Sequence, residues 1–108
     1  MKQWKIEFSP AARRDLRHIV GYIANTLQEP ETAQRLYRRI QQAINSLSEL
    51  PERCPAYQQE PWRSRGVRKL LLGNYMVLYR TVEEHSVVFV MRIVYARQNL
   101  SGVLTEFR

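Results

Sequence analysis

Apolar residues fall at every second position in Trp4-Lys5-Ile6-Glu7-Phe8, a period that predicts a short strand. Past Ser9 the spacing changes to three and four. Ala12, Leu16, Ile19, Val20, Ile23 and Leu27 form one stripe of a helix, with Arg13, Arg14, Arg17 and His18 largely off it. Ser9-Pro10 supplies the start: a serine N-cap, then proline at the first helical position, where its missing N–H costs nothing. Gly21 weakens the helix slightly. A second helix opens at Pro30-Glu31, with Glu31 well placed against the helix dipole. Its stripe of Ala33, Leu36, Tyr37, Ile40, Ala43, Ile44 and Leu47 is the clearest amphipathic pattern in the chain, and Pro51 ends it. The short connection makes the two helices an antiparallel hairpin.

Residues 51–66, PERCPAYQQEPWRSRG, hold three prolines and no period. They predict a long loop, either a functional segment or a proline-stiffened cover over one edge of the core. Strands follow. Val67 to Leu72 is the first, Gly73-Asn74 is a two-residue hairpin signal, and Tyr75 to Thr81 returns. Glu83-Glu84-His85 turns the chain into Val87 to Tyr95, which is apolar on both faces and therefore central. The N-terminal strand either adds to an edge or joins beside this last strand. The order β-α-α-β-β-β predicts one α+β domain over residues 1–108, a small, mostly antiparallel sheet with a helical hairpin packed on one face.

Composition narrows the class. With 44% hydrophobic and 25% charged residues in 108, the chain sits well away from disordered sequences. No apolar run approaches the roughly 20 residues of a membrane span, and the N-terminus lacks a signal-peptide pattern. The expectation is a cytoplasmic protein with no membrane partner. Cys54 is the single cysteine, so neither an internal disulfide nor a cysteine metal cluster is available. His18 and His85 stand apart and read as solvated surface residues, so no metal site and no cofactor are expected. The charge is the informative number: 17 Lys and Arg against 10 Asp and Glu leave +7. Such a balance fits contact with nucleic acid or its machinery, neutralisation by an acidic protein, or a solvated basic surface.

Several stretches in order resemble the RelE/ParE superfamily of bacterial toxins from toxin–antitoxin pairs. FSPAARRDLRHIVGYI is similar to that family's first helix, and PETAQRLYRRIQQAINSLSELPERCPAY to its second helix and proline-terminated exit. GVRKLLLGNYMVLYR resembles the hairpin, and VVFVMRIVYARQNL the closing strand. The resemblance implies a small sheet with a helical hairpin and an antitoxin partner. It also implies one of two activities: metal-free cleavage of mRNA in the ribosomal A site (RelE-like), or inhibition of DNA gyrase without nuclease action (ParE-like). A non-toxic binding module of the same fold is a third reading. The +7 charge suggests that the antitoxin's binding segment is acidic, ordering as it wraps the basic face.

Metal-free RNA cleavage needs a base for the 2′-OH, cations for the charged transition state and an acid for the leaving oxygen. Arg68, Lys69, Arg92, Tyr95 and Arg97 are the groups that chemistry would draw on. The set is incomplete by the family's pattern. Met76 stands where the nuclease branch commonly has arginine, Tyr95 stands where the closing strand often has histidine, and Gln98-Asn99-Leu100-Ser101 offers neither acid nor base. A tyrosine near its usual pKa of about 10 is a poor base at neutral pH. The ParE-like reading is therefore favoured, with Arg68, Lys69, Tyr95 and Arg97 as the catalytic candidates of the nuclease alternative. Trp62, Arg63, Arg65, Arg68, Lys69 and Arg97 are the candidate surface for target or antitoxin. Trp62 has a second reading, as a hydrophobic plug for the sheet edge. Arg92, in mid-strand, reads as an internal clamp needing a carboxylate or several carbonyls as partner, with Asp15 and Glu7 as candidates.

Overall fold

A computed structural model describes residues 3–96 and 104. Strand β1 is Lys5–Phe8, helix α1 Pro10–Gly21, helix α2 Pro30–Asn45, and strands β2, β3 and β4 are Arg68–Leu72, Tyr75–Val82 and Val87–Tyr95. The sheet order is β1-β4-β3-β2. β2, β3 and β4 form the expected antiparallel meander, and β1 lies beside β4, parallel to it. β1 joins beside the last strand and forms the sheet's edge there, which makes β4 central and explains its apolar residues on both faces.

Local chemistry sets the element ends. Ser9 Oγ accepts the Ala12 N–H at 2.9 Å, the N-cap read from sequence. The same hydroxyl donates to the Met91 carbonyl at 2.6 Å, so the cap also fastens α1 to β4. After Gly21 the helix widens into a π-helical turn, Tyr22–Thr26, closed by the Leu27 N–H on the Tyr22 carbonyl. That extra residue turns Leu27 away from the predicted stripe, and its side chain is 48% exposed. Gly73 opens the β2–β3 turn at a φ of +59°, which a two-residue hairpin accepts most easily from glycine.

β4 carries a bulge. Leu78 pairs with Arg92 and Tyr79 with Val90, so Met91 is the additional residue. Its effect is visible in the packing. Val90 and Ile93, three positions apart, both join Ala12, Ile40, Ile44 and Val77 beneath the helices. A strict period of two would have sent them to opposite faces. Met91 and Val94 lie together on the other face.

That second face is also covered, which the expectation of one packed face did not include. Tyr57, Trp62, Val67 and Leu104 bury Met76, Leu78, Met91 and Val94. The loop reaches this position by pairing with β2: Tyr57 N–H donates to Val67 and Lys69 N–H to Pro55, with a bridge between Ala56 and Arg68. Ser64 donates both its N–H and its hydroxyl to the Glu60 carboxylate at 2.7 and 2.6 Å, which closes the loop's tip. A third cluster, Trp4, Leu47, Cys54, Tyr79 and Val88, joins the end of α2 to the sheet.

Candidate functional site

The sequence-derived residues that the structure describes do not converge. Arg68 begins β2 opposite Tyr79, on the helix side of the sheet. Its guanidinium donates to the Cys54 carbonyl at 2.7 Å and lies 3.9 Å from Glu52, so it ties the loop to the edge strand. Lys69 pairs with Leu78 and faces the other way. Tyr95 shares a row with Tyr75 and Leu72. Four residues separate that row from the one holding Arg68, about 13 Å along the strands at ~3.3 Å per residue. Tyr95 meets Tyr75 edge to face, with centroids 5.8 Å apart and planes at 75°. Burial, with Tyr95 adding to it, pushes the Tyr75 phenol above its ordinary range, so at neutral pH it stays protonated. Arg97 lies outside the described residues.

Met76, at the position where the nuclease branch would place arginine, is 5% exposed and packed with Trp62 and Leu78. The strand therefore offers an apolar contact where a transition-state cation would be needed. Trp62 is 4% exposed, so its plug reading fits the structure and its stacking-surface reading does not. Arg65 lies over the Trp62 ring at 5.1 Å, and Arg63 is exposed beside it. Arg92 is the clamp: its fork donates to both oxygens of Asp15, at 2.7 and 2.9 Å. Of the two partners foreseen, Asp15 is the one bonded.

An apolar concavity lies elsewhere, on the helical hairpin. A groove of about 740 Å³ is floored by Phe8, Leu16, Val20 and Tyr37, with Arg13 and Arg17 among its walls. Sequence reasoning assigned Leu16 and Val20 to the core stripe and missed that the stripe is wider than the surface it covers. Tyr37, 38% exposed on the predicted stripe of α2, carries the same message. Among the described residues, no three His, Cys, Asp or Glu side chains group as a metal site would require. No helix among them is long and apolar enough to cross a membrane.

Comparison with known proteins agrees with this architecture. Residues 6–100 match the family model described as the ParE toxin of type II toxin–antitoxin systems, parDE. The fold is shared with a structure of the chromosomal ParDE system from P. aeruginosa, at TM-score 0.72 and 20% identity over 90% of this chain and 100% of that one. It is also shared with a free RelE toxin mutant from E. coli, at TM-score 0.65 and 19% identity over 96% and 93% of the two chains. The RelBE2 toxin–antitoxin complex of Mycobacterium tuberculosis aligns at TM-score 0.60 and 24% identity over 86% and 98%. No curated protein matches the chain. Fold and family model together define the class: a toxin component of a type II toxin–antitoxin system. Within that class, the chain belongs to the ParE toxin family.

Proposed function

We propose that this toxin acts by binding, with DNA gyrase as its target, and that it breaks no bond itself. The observation that carries this reading is the scatter of the nuclease candidates on a ParE-family scaffold. Arg68 is committed to the loop, Lys69 faces away from it, Tyr95 sits four residues along the sheet, and Met76 is buried. Acid–base cleavage requires its groups within hydrogen-bonding reach of one phosphodiester. Inhibition by binding requires only a complementary surface.

Neutralisation follows the charge. The proposed antitoxin segment is acidic and amphipathic, with its apolar side in the groove of Leu16, Val20 and Tyr37 and its carboxylates toward Arg13 and Arg17. Arg63, Arg65 and Lys69 remain the proposed contacts for the target, on the other side of the sheet.

The test is a gyrase supercoiling assay with folded toxin that arrests growth. Loss of supercoiling, reversed by the product of the adjacent reading frame, is expected. Full supercoiling at a large excess of toxin overturns the reading. In a parallel assay on programmed ribosomes, mRNA cleavage would give the activity to the nuclease alternative.

A further inference from the structure

Among the described residues, the loop and Leu104 cover only part of the second sheet face, and two adjoining cavities lie on the rest. The first, about 310 Å³, is lined by Trp62, Arg65, Val67, Arg80, Phe89 and Met91. The second, about 540 Å³, includes Lys5, Glu7 and His85 and shares Arg80 and Phe89 with the first. Register explains the sharing. Phe89 pairs with Arg80 on one side and Glu7 on the other, so the three side chains stand in one row across β3, β4 and β1. Arg80, Glu7 and Lys5 are exposed, and Phe89 is half-buried between them.

We propose that this double cavity binds a nucleoside triphosphate. The first cavity offers an aromatic ring apolar walls in Phe89, Met91 and Val67. Arg80, at the junction, meets the phosphates, and Lys5 extends the cationic side into the second cavity. Glu7 selects among anions. A carboxylate in the groove repels a simple polyphosphate or an acidic peptide, but it accepts from a ribose hydroxyl or an exocyclic amine. The ligand that satisfies the whole row is therefore an anion that also carries a ring and donors. The cavities are of the size, roughly 300–1,000 Å³, of small-molecule sites. Arg65 lines the first cavity and is also a proposed target contact, whereas Arg80 and Phe89, on which this inference rests, belong to neither surface assigned above.

Calorimetric titration of the full chain with ATP, GTP, CTP and UTP in metal-free buffer tests it. At least one is expected to bind tenfold or more tightly than both inorganic tripolyphosphate and the matching nucleoside. Arg80→Gln should weaken that binding about tenfold or more, as loss of a charged hydrogen bond does. Arg14→Gln, the same charge change on the exposed side of α1, should leave it unchanged. Phe89→Leu should narrow the preference for nucleotide over tripolyphosphate, and if that variant melts early, Lys5→Gln combined with Arg80→Gln decides instead. Equal binding of tripolyphosphate, an equal effect of the two arginine variants, or no binding at all overturns the proposal. Tighter binding of a twelve-nucleotide single strand or of a poly-glutamate peptide also overturns it, in favour of that occupant.

Discussion

Asp15 and Arg92 stand 77 positions apart in the chain and meet in a two-bonded fork, Nε to Oδ2 at 2.7 Å and Nη2 to Oδ1 at 2.9 Å. Asp15 Oδ2 also accepts the Ile93 N–H at 2.9 Å. The reason lies in the sheet. β1 pairs with β4 only as far as Phe8 and Val90, and from Met91 onward β4 has no strand on that side among the described residues. Two side chains of the capped helix replace the missing strand, Ser9 taking the Met91 carbonyl and Asp15 the Ile93 N–H. Removing Asp15 thus takes the carboxylate from Arg92 and the acceptor from the Ile93 N–H together.

Asp15→Ala is expected to destabilise by about 3 kcal/mol, the cost of breaking one side of a largely buried pair. That lowers the melting temperature by more than about 10 °C in a domain of this size. The double variant Asp15→Leu/Arg92→Met should recover a good part of the loss, because the cation is removed together with its carboxylate. Thermal and urea denaturation measure both. A double variant no better than Asp15→Ala would refute the clamp.

Ser9→Ala removes the helix cap and the bond to Met91 at once. The expected loss is about 2 kcal/mol, above what a cap alone commonly contributes. Ser9→Asp keeps the cap but presents a carboxylate to the Met91 carbonyl. It should recover little of the stability in urea denaturation, because Ser9 is only 2% exposed.

Trp62→Ala should behave as a core deletion, costing about 3–5 kcal/mol. Arg63→Ala, beside it on the surface, should stay within about 0.5 kcal/mol of the parent. Denaturation midpoints of the two variants check the assignment of Trp62 to the core. A Trp62→Ala protein with unchanged stability and weakened target binding would restore the stacking-surface reading.

Tyr79 makes the fold sensitive to alkali. Burial, and then the nearby Cys54, hold its phenol well above the ordinary value of 10.0. The folded state thus binds this proton more tightly than the unfolded chain does. Its contribution is complete below pH 10 and is lost as pH rises through the folded value. Tyr57 and Tyr75 are raised by burial in the same direction. The unfolding free energy should fall above pH 10, by up to about 1.4 kcal/mol per pH unit for each such proton. Tyr79→Phe should lower stability at pH 7 by about 1 kcal/mol, through the lost 2.6 Å bond to the Pro51 carbonyl, yet flatten the alkaline slope. An unchanged slope would remove Tyr79 from this role.

Charge reversal at Arg13 and Arg17 together should weaken antitoxin binding tenfold or more, with a reduced dependence on salt. The same reversal at Arg38 and Arg39, on the exposed side of α2, should do much less. Binding measured across a salt series separates a groove contact from general attraction to a basic protein.

The sequence by itself determined the elements and their order. Alternation, helical spacing, Ser9-Pro10, Gly73-Asn74 and the closing apolar run are local signals, written in neighbouring residues. The elements form in the order they give, although α1 ends at Gly21 and α2 at Asn45, short of the spans the stripes suggest. It also determined that Arg92 needs a partner, a carboxylate or several carbonyls, since an arginine within an apolar strand cannot be left without one, and the fold chose the Asp15 carboxylate. Tertiary structure alone decided what depends on distant registers. The bulge at Met91 reassigns the last residues of β4 to their faces. The return of the loop onto β2 buries Trp62 and covers a second face. The offset between Arg68, Lys69 and Tyr95 disperses groups that the chemistry of RNA cleavage would need together. Local pattern fixes which way a chain segment can run. Which side chains finally meet is a property of the sheet's pairing, which only the assembled fold contains.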